Sequence, residues 1–500
     1  MNNEAGFIIP ALLVVIVTFS VLLIGLGDVI NNTLGDAART QSKQMSLNIA
    51  EAGINYYLWH ISHNTTDYKD GKTTPTTPDA SLGYGPYVHT YKDANGVDRG
   101  TFTLYIQPDT TGSNIITVRS IGKSSNLSNT NRTVEAKIGA PSFSTYAVVG
   151  NSELWFGSTE VADGPVHSNA GVKMDGPNNN DVTSANTTYI PSSTSGSGSG
   201  SSKPGVWCDT AITNPNCNTR SKESWRYPVA SVDFNKVTAD LCQLKKNATN
   251  NQASNACSAK PSRTASYIPA RTNNYSINSG YLIILNTNGT YSLRSVTNER
   301  DDRANYSAAL SNTVIANNIA VPTNGVIFVE DNVWVLSESG GFNGRVTIAS
   351  ARLATTGSTT VTVADKLSYQ DQYNGNDAIG LIAENDIDIA PYVPVPLTVH
   401  AAMIAQSGRV QFRPEYNYNG GNTPGYINSN QTLQFFGSIA SNEQWTWSWI
   451  RCGSNNASCW SGFKNNTTKY DENLRYKPPP SFPVTSTYDI LEWREIIIAP

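Results

Sequence analysis

From Phe7 to Gly27 the chain reads FIIPALLVVIVTFSVLLIGLG, about 21 residues without a charge, which at 1.5 Å rise per residue covers roughly the 30 Å of a bilayer core. Such a run can span a membrane. Glu4 is the only side-chain charge ahead of it, and the stretch lacks the basic start and small-x-small cleavage site of a secretory signal. Arg39 and Lys43 lie beyond the span with nothing basic before it, so charge asymmetry alone argues weakly for the wrong orientation. The segment that follows, DVINNTLGDAARTQSKQMSLNIAEAGINYYLWHIS, contains no proline. Its apolar Leu47, Ala50, Ile54, Leu58 and Ile61 recur at three- and four-residue spacing, which predicts one amphipathic helix running on from the span. From Phe7 to Ile61 it would be about 80 Å long.

Beyond the helix the fold expected is α+β. Alternating runs between about Tyr84 and Gly139, TFTLYIQ, NIITVRSIG and RTVEAKIG, are separated by DANG and TTGSN turns and predict a small antiparallel sheet. Further on, AVVGNSELWF (147–156), VIFVEDNVWV (326–335) and GLIAENDIDI (380–389) align without a gap, and AMIAQSGRVQF (402–412) aligns with one extra residue. Each is an apolar strand, a polar corner and a second apolar strand. The last two start about 22 residues apart, close to one coil of a β-solenoid-like domain; a β-sandwich built from the same short strands is the alternative. The expected order is a leader (1–6), the long helix (7–63, transmembrane over 7–27), the sheet (64–140) and first rungs (141–191). A flexible SSTSGSGSGSSK linker with cysteine-containing loops (192–273), the main β region (274–442) and an aromatic, proline-rich closure (443–500) follow. In that closure Trp493 and Ile496–Ile498 are expected to pin the last segment on the core.

The first 65 residues or so carry a resemblance. A short leader, MNNEAG, ends in Gly6 before Phe7 and a span of this length, which resembles a type IV prepilin. AEAGINYYLW, with Ala50, Glu51, Ala52 and Gly53, is similar to the corresponding element of PilX-type minor pilins. The resemblance implies cleavage after Gly6, methylation of the new N-terminus at Phe7, and prepilin peptidase, other pilins and the pilus assembly machinery as partners. It also implies a single-pass precursor in the cytoplasmic membrane that later stands on an extracellular pilus. Most members place a glutamate five residues into the mature chain, where it neutralises a neighbour's amino terminus in an environment in which an unpaired charge is costly. This chain has Ala11 there, preceded by Pro10. That departure, with a β region of about 430 residues and a radius of gyration near 22 Å, points to a subunit that primes or caps a fibre and presents its outer part for attachment to a host cell or surface glycan.

Composition excludes other classes. Charged residues make up only 15% of the 500 and the net charge is −4, so no basic field gathers nucleic acid. The six cysteines form three near pairs, Cys208 with Cys217, Cys242 with Cys257 and Cys452 with Cys459. Fifteen pairings are possible; local disulfides in an extracellular compartment are the ones expected. Neither C-x-x-C nor clustered histidines offer a zinc site, and no P-loop, dinucleotide fingerprint or H-E-x-x-H motif occurs, so no metal or cofactor is expected.

Candidates for chemistry are few. His167 with Asp163, Ser168 and Asp175 could be a hydrolytic set but lacks a nucleophile elbow. The turns Asp93–Asn95–Asp98 and Asp371–Asn374–Asp377 lack the terminal glutamate of a calcium loop. Asp386 and Asp388 alternate with apolar neighbours, as paired carboxylates of a polysaccharide-acting solenoid enzyme would, or as the solvent face of any rung does. Trp445, Trp447 and Trp449 share one strand face, as a sugar-stacking platform or as core closure. The expectation is a non-enzymatic filament subunit. A membrane-anchored polysaccharide enzyme and a surface scaffold without a filament are the rivals.

Overall fold

The computed structural model describes residues 8–64, 67–108, 115–125, 130–192, 200–209, 222–271, 276–299, 310–413, 432–450, 460–463, 465–485 and 488–496. The chain divides into two compact units. The first comprises the N-terminal 108 residues, Ile116–Gly139 and the C-terminal segment from Tyr488; the second holds the chain from Ala140 to Thr487.

In the first unit a single helix, α1 (Ile8–His63), runs for 56 residues. From Ile9 to Leu34 every large apolar side chain on it is exposed. From Ser42 onward one stripe turns inward: Ser46, Ile49, Ala50, Gly53, Ile54, Tyr57 and Ile61. Leu47 and Leu58, expected in that stripe, are only half-buried, so the packed face is rotated slightly from the one periodicity suggested. It lies on an antiparallel sheet of β1 (Tyr84–Lys92), β2 (Asp98–Pro108), β3 (Ile116–Ser124) and β4 (Asn131–Gly139). The approach is close because it is made of small residues. A Cβ at Gly122 would run into the Ser46 carbonyl oxygen and the Ala50 nitrogen, and one at Gly53 into Ser120 and Phe102. The Ser46 hydroxyl donates to the Thr130 carbonyl at 2.6 Å and accepts from the Ser124 amide at 3.1 Å, satisfying polar groups at the contact.

Along the chain the second unit places β5 (Val148–Gly150), β6 (Leu154–Phe156), β7 (Val166–Ser168), β8 (Val172–Met174), β9 (Val182–Ser184), β10 (Thr188–Tyr189), β11 (Lys203–Pro204), β12 (Val206–Trp207) and β13 (Trp225–Arg226). Helix α2 (Lys236–Thr249) comes next. Then follow β14 (Tyr267–Ile268), β15 (Gly280–Leu285), β16 (Thr290–Glu299), β17 (Leu310–Ala320), β18 (Val326–Val329), β19 (Asn332–Ser337), β20 (Arg345–Ser350), β21 (Val361–Val363), β22 (Ala378–Ala383), β23 (Ile387–Ile389), β24 (Leu397–Ala405) and β25 (Val410–Phe412). The last are β26 (Thr432–Ser441), β27 (Ser448–Ile450), β28 (Trp460–Gly462) and β29 (Asn465–Tyr470).

From β18 to β26 the chain alternates between two sheets, pairing in parallel with the strand one coil earlier each time: β18, β20, β22, β24 and β26 in one, β19, β21, β23 and β25 in the other. The result is a parallel two-sheet coil, and the repeats at 326–335, 380–389 and 402–412 are its strand–corner–strand pieces. Between the sheets lies a core of Val329, Ile348, Leu381, Ile387, Ile389, Met403, Val410 and Phe412. The first sheet is buried on its other face too, beneath α2, Phe143, Leu474 and Phe482. Burial on both faces is why β22 reads as the unbroken AIGLIA and not as an alternation.

Stacking order departs from chain order. β5 pairs in parallel with β26 through Ile439–Val148, Ala440–Val149 and Ser441–Gly150. β7, β9 and β13 then continue outward from β5. The earliest rungs therefore sit on the last one. An asparagine ladder crosses this seam at a coil corner: Asn151 donates to Asn442 and Asn169 to Asn151, each at 2.8 Å.

Two expectations need correction. The loop-rich reading of 192–273 missed α2, whose Val237, Leu241, Leu244 and Ala248 pack on the sheet at helical spacing. The C-terminal strand, β30 (Asp489–Ile496), does not lie on the coil: it pairs antiparallel with β4 as the fifth strand of the first unit's sheet. Trp493 is accordingly 45% exposed on an edge strand instead of pinning a core. Ile497 and Ile498 lie outside the described residues. The proline-rich segment before it does cross the coil, with Thr347 donating to the Pro480 carbonyl at 2.6 Å and Phe482 buried. The second unit is thus an insertion between two neighbouring strands of the first unit's sheet.

Candidate functional site

The first candidate is the apolar part of α1. Thr18 and Ser20 return their hydroxyls to the helix carbonyls of Val14 and Ile16, hiding their polarity, as a helix in hydrocarbon requires. The helix is long and apolar enough to cross a membrane. Gly6 and Phe7, the expected processing site, lie outside the described residues. Of the motif residues, Ala50 and Gly53 are buried against the sheet, whereas Glu51 and Ala52 are half-buried. The motif thus sets the distance between helix and sheet.

Around the end of α1, Asp70 is buried and accepts from Tyr56 Oη at 3.1 Å, with His89 Nε2 at 2.7 Å. His60 Nε2 meets Asp67 at 3.1 Å. Burial opposes ionisation of Asp67, but the Lys69 and Gly71 amides and His60 outweigh it and hold the carboxyl below its usual range. These pairs fasten the turn after α1 to the helix and to β1.

In the coil, the structure separates most of the residues expected to do chemistry. His167 is buried and bonds Thr183 Oγ1 and Asn169 Oδ1, both at 3.0 Å, while Ser168 Oγ donates to the Ser152 carbonyl at 2.8 Å. Neither bonds the other. Burial lowers the His167 pKa. Asp175 instead takes Trp155 Nε1 at 3.1 Å and Lys173 Nζ at 3.2 Å. The calcium-like turns are self-satisfied: Asp93 accepts from the Asn95 and Val97 amides and Arg99, and Asp371 and Asp377 accept from amides of their own turn and Gly344. No group of three or more metal-ligating side chains occurs among the described residues.

The tryptophan platform is not on the surface. Trp445 and Trp447 are 8% and 2% exposed and meet edge-on at 5.4 Å, with Phe156 and Phe435 against them. They close the core because the chain turns inward after β26. Trp449 is partly buried, its Nε1 donating to the Phe412 carbonyl at 2.8 Å. Cys242 and Cys257 form a disulfide as expected, and Cys208 is disulfide-bonded; Cys217, Cys452 and Cys459 lie outside the described residues.

Asp388 is the main surprise. The sequence leaves it as one of a paired carboxylate set or as a solvent-face residue; it is only 6% exposed, so the solvent-face reading fails. Gln411 Nε2 donates to it at 2.9 Å, and burial raises its pKa to about 7 despite nearby Arg413. Beside it Glu299 accepts from Trp334 Nε1 at 2.8 Å, from Tyr392 and from both terminal nitrogens of Arg413 at 2.7 and 3.0 Å. Burial opposes ionisation of Glu299, but the bidentate Arg413 wins and lowers its pKa. Asp386 sits at the corner, accepting the Arg409 amide at 2.8 Å, with its pKa raised by burial. Sequence offered no sign of Glu299 in this network, since it lies 89 residues before Asp388 and outside the repeats, whereas Gln411 and Arg413 follow one repeat later.

A second network missed by sequence holds α2 down. Lys245, fully buried, donates to Glu330 at 2.5 Å and to the carbonyls of Cys257 and Ala259 at 2.8 and 2.7 Å, and Tyr267 donates to Glu330 at 2.8 Å. The Cys242–Cys257 disulfide ties the Cys257 end of that loop to α2, beside a cation buried away from solvent.

No protein-family model and no curated protein matches this chain. Among solved structures it is similar to the competence-associated pilin ComZ from Thermus thermophilus, at 13% identity over 91% of this chain and 97% of that one, with a TM-score of 0.29.

Proposed function

We propose that this chain is a pilin-like filament subunit, of the minor, PilX-like kind. It inserts in the cytoplasmic membrane by α1, loses its leader after Gly6, and primes or caps a type IV pilus or related fibre on which the coil is presented for surface attachment. The observation that carries this reading is α1 itself: one helix whose first half leaves every large apolar side chain without a partner while its second half is welded to an antiparallel sheet. A helix of that kind is soluble in lipid and, once extracted, only among other apolar helices. Ala11 in place of an intramembrane glutamate supports a low-copy position, since the subunit cannot neutralise a neighbour's amino terminus. The Cys242–Cys257 disulfide supports a coil held outside the cytoplasm. The subunit is proposed to act by binding.

N-terminal sequencing and intact-mass measurement of the native protein test the reading. A chain starting at N-methylated Phe7 is expected, and one starting at Met1 removes the filament assignment. Deleting the gene should lower pilus number or attachment. The near-neutral Asp388 makes glycan cleavage worth assaying on the same protein: cleavage abolished by Asp388→Asn would make the chain an anchored enzyme instead.

A further inference from the structure

Lysine is almost never fully buried unless paired, and an enclosed ion pair costs more to desolvate than it returns unless its geometry is very good. Among the described ion pairs two lysines are enclosed. Lys173 meets Asp175, only two residues on, so a link between them would tie nothing together. Lys245 is different. Its partner Glu330 is 85 residues away, just past the end of β18, and the two side chains are 0% and 2% exposed. Around them, Leu241, Leu244 and Ala248 of α2 lie with Tyr267 and Phe328 in one apolar cluster. Arginine would hold a static pair with two bonds and stay charged, whereas lysine has a single nitrogen that becomes a nucleophile on losing a proton.

Three contacts orient the Lys245 nitrogen. Two N–H groups are donated to the Cys257 and Ala259 carbonyls, at 2.8 and 2.7 Å, and the third direction faces Glu330 Oε1 at 2.5 Å. Once the carboxylate has taken the proton between them, the nitrogen lone pair points at the carboxyl group. The other oxygen, Oε2, accepts Tyr267 Oη–H at 2.8 Å. Burial, followed by the bond to Glu330 and its charge, pushes the Tyr267 pKa above its usual value, so this hydroxyl remains a donor.

We propose that Lys245 and Glu330 condense to an intramolecular amide that fastens α2 covalently to the coil beside β18. The Lys245 ammonium passes a proton to Oε1, Nζ attacks Cδ, and the electron pair of the C=O bond moves onto Oε2, where Tyr267 stabilises it. Oε1 then takes a second proton from the nitrogen, the Cδ–Oε1 bond breaks as the carbonyl re-forms, and water leaves. The third proton stays on the nitrogen as the amide N–H. An ammonium and a carboxylate together contain the atoms of one amide and one water, so no oxidant, cofactor or co-reactant is consumed. The product carries no charge, and the cost of keeping two ions out of water disappears with it.

Peptide mapping of the full-length native protein, reduced and alkylated before trypsin, tests the bond. Peptide 237–246 is expected joined to peptide 304–345, lighter than their sum by one water, about 18 Da, with fragmentation placing the link between Lys245 and Glu330. Lys245→Met combined with Glu330→Gln, a neutral pair that keeps an acceptor for Tyr267, should release the two peptides separately. Tyr267→Phe should leave a fraction of the chains unlinked. Should the double variant fold poorly, the map of the native protein decides by itself. Native chain cut by trypsin after Lys245, with both peptides recovered apart, overturns the proposal, as does a link that persists in the double variant.

Discussion

Both units bring together strands that are far apart in the chain, and they do so by opposite means. In the first, β4 receives β30 through charge: Lys137 meets Glu492 at 2.7 Å, Arg132 meets Glu495 across 363 residues, and Glu135 is shared by Arg119 and Arg494. In the second, β26 receives β5 through burial: Ile439, Val148, Ala440 and Val149 are each no more than 1% exposed, and the polar contribution is the Asn151–Asn442 bond, 291 residues apart. The difference follows from where each closure lies. β30 is an edge strand with one side in solvent, so a one-residue slip loses little burial and cross-strand ion pairs must define the register. β5 lies inside a sheet packed on both faces, where a slip would turn methyl groups out of the core.

The contrast can be broken at four points. The largest effect is expected at the helix–sheet contact of the first unit. Gly122→Val drives a side chain into the Ser46 carbonyl and should cost about 4 kcal/mol or more, read as a fall in the urea midpoint of the first unit. At the apolar closure, Ile439→Ala should cost about 3 kcal/mol by cavity formation and make 148–184 more open to limited proteolysis, with little dependence on salt. Asp388 comes next. Its folded pKa, near 7, lies above the unfolded value of 3.8, so the native state binds the extra proton between these values. The favourable contribution is complete below the unfolded pKa and is lost as pH rises through about 7. Asp388→Asn keeps the acceptor for Gln411 and should stabilise the coil at pH 8 by on the order of 2 kcal/mol, with no gain at pH 4. The smallest effect is at the charged closure. Glu492→Ala should cost under about 1 kcal/mol and vanish in molar salt, because both partners are a third exposed. A salt-independent loss there would mean that the Glu492 side chain acts by packing and not by charge, and no loss at low salt would mean that the pair does not hold β30.

Much of this architecture was legible in the chain. Apolar length marked α1, alternation marked β2 to β4, and four segments of the same apolar–corner–apolar pattern marked the coil because each rung solves the same packing problem. What was not legible is instructive. Trp445, Trp447 and Trp449 alternate whether they face sugar or core, and only the inward turn after β26 decides between these. Asp388 looks like a solvent residue because its neighbours Ile387 and Ile389 are inward. The repeat already sets Gln411 one coil from Asp388, but the buried Glu299 comes from a strand that the repeat does not include. The C-terminal run DILEWREI has the signature of an exposed edge strand, but nothing in it names β4 as its partner.

The amino-acid sequence by itself determined the local choices: a helix too apolar for water, strands of period two in one unit and continuous apolar strands in the other, and glycine where helix and sheet approach. These follow from short-range sterics and from which side chains water rejects. Only the tertiary structure decided that the last strand completes the first sheet and that the first rung stacks on the last. Such pairings depend on edges left open after everything local has formed, and the backbone of an open edge accepts any extended strand. The choice among strands rests on complementary charge in one unit and on complete burial in the other, and both are properties of surfaces that exist only once the chain has folded.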